Sequence, residues 1–443
     1  MLTMKIIIDQ YLYYHLLARY LKKAIVQRLR RFLEDFDLIS NNQFGFRNNM
    51  STEKAIMQFT SKIYSNLERK RYVAGIFLDL SKAFDTLNHA ILLDKLYNSG
   101  VRGTPLKLLE SYLTNRKQSV YCNKKSSQLK IIHTGVPQGS ILGPLLFLTY
   151  INDISNASEK FNYVLFADDT NLLLHDDNLN NLHTALNTEL EKISKWVSAN
   201  KLKVNVTKTN YILFQNRSVE HRMRTVYMEG CELKRVSCTK FLGVLIDENL
   251  NWKNHIQSLC LKLSKICGVL YKIRRNLTID ALKNLYYSLC YPHFIYCLSL
   301  WGCTWPSVVK EIIVMQKKIL RTITFKRKHD STQFLFTELK LLKFDYLLQY
   351  FCLLSVYNDL NEIRSTRKLF RYIHHSQGTR GNNINLICPQ HRTILYKFSI
   401  HCFGPTCWNA LPDDLKTITN FNIFKSKLKK HFHKLQSLSI NAQ

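Results

Sequence analysis

Three acidic side chains stand where a carboxylate is hard to explain without a cation. Asp79 closes an apolar run, VAGIFLDL, within Tyr72–Leu80. Asp168 and Asp169 separate two further apolar runs, YVLFA and TNLLL. A carboxylate at the end of a buried strand is costly unless something positive sits beside it. Magnesium is the natural partner, because it takes carboxylate oxygens together with substrate phosphates. Two such ions stabilise both the attacking and the leaving oxygen of a phosphoryl transfer. The ordinary reading of an Asp-Asp pair is a solvated turn. Asp176 and Asp177, in HDDNLNN, are the control: no β-rich strand follows them, and they read as surface.

A third segment lies between the two acidic motifs. GVPQGSILGPLLF, Gly135 to Phe147, is punctuated by glycine and proline and opens an apolar helix. Glycine exposes backbone that can approach a base pair or phosphate closely, and Gln138 offers an amide there.

The elements that must carry these groups follow from periodicity. Tyr72–Leu80 is β-branched, aromatic and apolar, which suits a buried central strand. Tyr163–Leu174 reads as a hairpin with Asp168 and Asp169 at its turn. A helix is expected from about Lys82 to Asn98, and short strands around Ser119–Cys122 and Leu129–Thr134. Leu182, Leu186, Leu190, Ile193 and Val197 recur at helical spacing. Lys208–Phe214 and Lys240–Ile246 read as strands. Upstream, Leu21, Ile25, Leu29, Phe32 and Leu33 mark an amphipathic helix over 21–37. Asn41, Asn42 and Gly45 then mark a turn. Beyond about Leu250 the pattern is mostly helical and ends in a basic amphipathic stretch, FKSKLKKHFHKL.

Charge narrows the partners. Lys and Arg number 63 against 32 Asp and Glu, a net charge of +31. That field attracts a polyanion, either nucleic acid or an anionic surface. Asn284–Val309 carries no Asp, Glu, Lys or Arg and is long enough to span a bilayer. Pro292, His293, Gly302 and Pro306 within it favour a buried hydrophobic helix pair instead, so no membrane partner is expected. None of the 12 cysteines forms a C-x-x-C pair, which argues against zinc ribbons and thioredoxin-like sites. Cys290, Cys297 and Cys303 read as helix-core thiols.

In order and spacing, FLDLSKAFD, GVPQGSILGPLLF, FADD, LKVNVTKTN and FLGVLID resemble motifs A to E of reverse transcriptases. NQFGFRNNMST upstream, and GPTCWNALPDDLK near the end, resemble the jockey-like non-LTR (LINE-type) class. The resemblance implies an α/β (α+β) right-hand polymerase. Fingers and a ferredoxin-like palm of antiparallel sheet, with helices on one face, would occupy 21–250. A helical thumb-like region would follow over 251–325 and a mostly helical, basic C-terminal region over 326–443. Residues 1–20 would be a divergent N-terminal segment.

The resemblance also implies roles. Asp79, Asp168 and Asp169 would be catalytic and would hold two Mg2+, with Mn2+ as a substitute. Phe84, five residues after Asp79, matches the steric gate that leaves no room for a 2′-hydroxyl. Gln138 and Gly139 would line the nucleotide pocket, and Lys208 would be a proton donor to pyrophosphate. Phe241, Leu242 and Gly243 resemble the primer grip, and Arg47 fits the fingers, against template or triphosphate. The partners would be an RNA template, a DNA primer and deoxynucleoside triphosphates. Backbone neutralisation by scattered cations would make binding fall steeply with salt. Such a protein works inside the cell, in nucleus, cytoplasm or both.

The pattern departs from the family in three places. No RPISLL-like segment precedes the helix near Leu21, no endonuclease is present, and motif C opens on Phe166 instead of tyrosine. A truncated frame is therefore expected. The alternative function is an impaired remnant that only binds nucleic acid.

Overall fold

The computed structural model describes residues 2–137, 139–215, 224–361, 368–373 and 384–441. The chain forms two compact units, one of residues 1–59 and 70–236, the other of residues 60–69 and 237–443.

The first unit begins with a single helix, α1 (Leu2–Asp35), longer than the 21–37 expected. Its buried row is Val26, Leu29 and Leu33, while Leu21 is 57% exposed. A second helix, α2 (Thr52–Glu68), leads into the central strand β1 (Tyr72–Leu78), every residue of which is buried. Side chains alternate faces along a strand. Tyr72, Ala74, Ile76 and Leu78 therefore enter the main core, and Phe77 points the other way, where its ring meets Phe59 of α2 at 5.4 Å. Gly75 allows that contact, since a Cβ there would lie 2.9 Å from the Phe214 ring and 3.3 Å from that of Phe59. The sheet is thus covered on both faces, not one. A strand apolar on both sides requires it.

Strands β2 (Asn162–Phe166), β3 (Asp169–Asp176), β4 (Asn210–Phe214) and β5 (Lys234–Arg235) complete a sheet of order β5-β4-β1-β3-β2. All its pairings are antiparallel except β5 with β4. The main core face is covered by α3 (His89–Asn98), α4 (Thr104–Leu113), α5 (Gly143–Ile151) and α6 (Leu179–Ala199). Leu182, Leu186, Leu190, Ile193 and Val197 of α6 are fully buried, as their spacing predicts. Each contributes about 1.5–3 kcal/mol of apolar burial.

Two local expectations are corrected, and a third, the short strands near 119–122 and 129–134, is borne out in finer form. The helix after β1 starts at His89 and not near Lys82, because Asn88 caps it and Lys82 adopts φ 46° in a preceding turn. The 119–134 region folds as two small exposed ribbons, pairing Lys117–Gln118 with Lys130–Ile131 and Tyr121–Cys122 with Lys125–Ser126. Lys208 precedes β4 instead of lying in it.

In the second unit, the expected strand 240–246 is a hairpin, β6 (Cys238–Phe241) and β7 (Val244–Asp247). Leu242 at φ 44° and Gly243 at φ 89° make its turn, the left-handed pair that suits a two-residue hairpin. The buried Asp247 carboxylate accepts the N–H groups of Asn249, Asn251 and Trp252, which sets the start of α7 (Lys253–Ile273). The uncharged 284–309 stretch is broken into short helical pieces, Tyr286–Cys290, Tyr291–Ile295 and Leu298–Trp301. Pro292 and the left-handed Cys297 interrupt it, so it is no regular helix pair. Cys290, Cys297 and Cys303 are buried. Among the described residues, no helix is long and apolar enough to cross a membrane. Longer helices follow: α8 (Pro306–Ile323), α9 (Phe344–Asn361) and α10 (Phe421–Asn441).

Candidate active site

The register of β1 against β3 brings the acidic residues together. Leu78 is paired with Thr170, so Asp79, just past the end of β1, falls beside Asp169, the first residue of β3. The β2–β3 hairpin turns through Ala167 and Asp168, with Phe166 paired to Asp169. The turn therefore sits one residue earlier than an Asp168–Asp169 turn would. Asp168 is at its tip and Asp169 opens the strand. Both side chains reach solvent, and Asp79 is half-buried.

The electrostatics match that crowding. Desolvation, then the charges of Asp168 and Asp79, push the Asp169 carboxyl up to about 6. A cluster that raises a carboxyl this way is one that a divalent cation would relieve. Its hard oxygen donors suit magnesium. Among the described residues, no three His, Cys, Asp or Glu side chains are already drawn together around an ion position. The donors fit the metal by chemistry and by charge.

Two segments hold this cluster from opposite sides through Asn205, Thr209 and Gln43, residues to which sequence reasoning gave no role. On one side, the Asp79 N–H donates to Thr209 Oγ1 (3.2 Å), and Asn205 N–H donates to the Asp79 carbonyl (2.8 Å). Ser81 N–H donates to Lys203 O (2.8 Å). Lys208, exposed, is next to this clamp in the chain.

On the other side is the turn Asn42–Gly45. Phe44 N–H donates to Leu165 O and Leu165 N–H to Asn42 O, both at 2.8 Å. The buried Gln43 carries one oxygen that accepts two amides, Gly45 N–H (2.8 Å) and Ala167 N–H (3.1 Å). Ala167 has φ 55°, uncommon for a residue with a side chain. That bond helps hold it there. Gly45 is pressed so closely against the tip that a Cβ would lie 2.3 Å from the Ala167 nitrogen. Arg47 braces the same turn by donating to Ser40 O (2.9 Å) and to Gln43 O (3.5 Å). Burial lowers its pKa from the usual value. Spacing gave no sign of the contacts that reach Asp79 and Ala167, which join residues more than a hundred positions apart; Asn41, Asn42 and Gly45 signalled only the turn itself.

Phe84 lies in the turn after Asp79, half-buried. Its ring stacks on Phe147 (centroids 4.4 Å, interplanar 27°) and meets Phe46 edge-on at 6.5 Å. Val136 N–H donates to the Phe84 carbonyl (2.9 Å), and Gly135 N–H to Leu87 O (2.7 Å). Gly135 at φ 82° is required, because a Cβ would fall 2.5 Å from Asp85 O. The glycine-rich segment thus positions Phe84. Gly139 is exposed with φ 76° and open space around it. Gln138 lies outside the described residues.

Phe241, Leu242 and Gly243 belong to the second unit. Phe241 is buried. The Tyr296 hydroxyl donates to Leu242 O (2.5 Å), and its ring would be 3.1 Å from a Cβ on Gly243.

A family model described as "Reverse transcriptase (RNA-dependent DNA polymerase)" matches residues 13–246. The chain is 28% identical over 321 residues to the "Probable RNA-directed DNA polymerase from transposon BS" of Drosophila melanogaster, covering 70% of this chain and 35% of that protein. It is also 28% identical over 319 residues to the "RNA-directed DNA polymerase from mobile element jockey" of Drosophila funebris, covering 70% and 34%. The chain spans about a third of the length of these curated relatives. A solved structure, apo telomerase from Candida tropicalis, aligns with TM-score 0.41 at 12% identity, over 78% of this chain and 60% of that one.

Proposed function

Since the chain belongs to the reverse transcriptase (RNA-dependent DNA polymerase) family, in its jockey-like non-LTR branch, we propose that it extends a DNA primer on an RNA template with deoxynucleoside triphosphates. The observation that carries this reading is the convergence of Asp79, Asp168 and Asp169 at one end of the sheet, where desolvation and then the charges of Asp168 and Asp79 raise Asp169 to about 6.

In this reading the three carboxylates hold two Mg2+, which Mn2+ can replace. When bound, the ions supply charge neutralisation at the primer hydroxyl and the triphosphate. The chain supplies the positions. Asn205 and Thr209 fix the backbone of Asp79, and Gln43 fixes the turn that carries Asp168. The Phe84 ring walls the sugar site. Gln138 and Gly139 line the nucleotide pocket, and Lys208 holds a proton for the leaving pyrophosphate. Phe241, Leu242 and Gly243 hold the primer end, and Arg47 supports the template side. Fingers and palm occupy 21–250, the thumb 251–325, and a basic extension 326–443. The site of action is the nucleus, the cytoplasm or both.

The test is primer extension on a homopolymer RNA template with magnesium, beside Asp168→Asn. Incorporation by the parent alone supports the proposal. Soluble protein that binds RNA but incorporates nothing overturns it in favour of a binding remnant.

The turn clamp makes a second prediction. Gln43→Met removes the shared acceptor and orphans two N–H groups, at about 1–3 kcal/mol each. That cost falls on the hairpin tip. Gly45→Ala forces the tip away directly. Both variants are expected to lower kcat by roughly ten- to a hundredfold, with KM for the nucleotide changed far less. Steady-state kinetics check this, and a loss confined to KM would refute the clamp's role.

A further inference from the structure

A groove of about 450 Å³ lies within the second unit, away in sequence from every residue assigned above. Its aromatic wall is Tyr287, Tyr291, Tyr350 and Phe351, over a floor that includes Leu341 and Leu347. The charged side chains on its rim are Lys340, Lys425 and Lys429, and no acidic residue lines it. All three lysines are exposed.

The wall is built by a local irregularity. A single π-turn, Tyr286–Cys290, interrupts the helical run here. Such turns are frequent at functional sites. The rings of Tyr287 and Tyr291 meet edge to face at 5.3 Å. Among the described residues, the hydroxyls of Tyr287, Tyr291 and Tyr350 have no hydrogen-bond partner. Desolvation raises all three phenols above their usual pKa, so they stay neutral donors. Lys425 and Lys429 are one helical turn apart on α10, on the groove side. Lys427 and Lys430 of the same helix are exposed but do not line it.

Flat rings beside a row of ammonium groups suit one ligand chemistry. Unpaired bases stack on the rings, and phosphates meet the lysines. A duplex keeps its bases stacked inside and offers the rings nothing. We infer that this groove binds single-stranded nucleic acid, with bases against Tyr287 and Tyr291 and backbone along Lys425 and Lys429. The choice of ligand rests on the polymerase reading, but the site is separate from the carboxylates.

The experiment is fluorescence anisotropy with labelled oligouridylate and oligothymidylate, using full-length Asp168→Asn protein so that no catalysis is needed. Lys425→Glu with Lys429→Glu should weaken binding at least about tenfold and lower the salt slope by roughly two. Lys427→Glu with Lys430→Glu makes the same charge change on the same helix and should change affinity less than about threefold. Tyr287→Leu with Tyr291→Leu should cost on the order of tenfold with the salt slope unchanged, and the corresponding Phe variants, which keep the rings and lose only the hydroxyl donors, should lose less than about threefold. The arm that binds more tightly, RNA or DNA, identifies the strand held. Equal effects of the two lysine pairs, or unaltered single-strand binding by the Leu variants, would each overturn the inference. Those outcomes leave the primer-extension result standing, so the two readings fail separately.

Discussion

Asp79→Asn is expected to reduce nucleotide incorporation by roughly a thousandfold or more, equivalent to about 4 kcal/mol of activation free energy. The same change is expected to leave the melting temperature of the metal-free protein unchanged or raise it. The two effects have one cause. The three carboxylates lie within electrostatic reach of one another at one end of the sheet, and Asp169 is raised to about 6 by desolvation and by the charges of Asp168 and Asp79. Its folded pKa lies above the ordinary 3.8, so its favourable contribution is fully present below that ordinary value. It is lost as pH rises through about 6. At neutral pH the parent therefore bears the repulsion, and the amide relieves part of it. The gap in melting temperature between variant and parent should widen from pH 4 to pH 7. The neutral amide leaves the Asp79 backbone bonds to Thr209 and Asn205 in place. Activity assays and thermal melts with chelator check both halves. A variant that melts well below the parent at pH 7 would mark Asp79 as a structural residue.

The next largest effect is expected at the sugar. Phe84→Ala should let ribonucleotides in, lowering discrimination against them by about ten- to a hundredfold. A wall discriminates only if it cannot yield. The Phe84 ring is backed by Phe147 at 4.4 Å and held at its side by Phe46, and its carbonyl is fixed by Val136 N–H. A merely structural Phe84 predicts something different. Truncating a fully buried phenylalanine costs about 3–5 kcal/mol, and a half-buried one less. Stability would then fall while sugar choice stayed constant. Competition between deoxynucleotide and ribonucleotide in primer extension, with melts on the same samples, separates the two.

What the sequence revealed, and what it hid, divides along physical lines. Strand β1 and the hairpin were legible because buried strands must be apolar, and a carboxylate at their ends then stands out. The core face of α6 was legible because helical spacing survives in any context. The start of α3 was not. Nothing in the apolar pattern shows that Lys82 turns left-handed, although Asn88 was a usable cap signal. The hairpin at Leu242–Gly243 was read as one strand for a similar reason, with Gly243 as the missed clue. Gln43 and Thr209 were out of reach altogether. Their work is done by single hydrogen bonds to residues 124 and 130 positions away, and only folding reveals such partners. The family assignment needed none of this, since it rests on whole motifs in order.

The two halves of the carboxylate cluster are anchored unequally. Asp79 directly follows a strand buried on both faces, the kind of core element that opens last. Asp168 rides a two-residue turn steadied by one shared amide oxygen and a glycine contact. Warming would loosen the turn while the strand stayed intact. The protein should then fall silent as a catalyst several degrees before it melts as a fold, and recover on cooling without refolding.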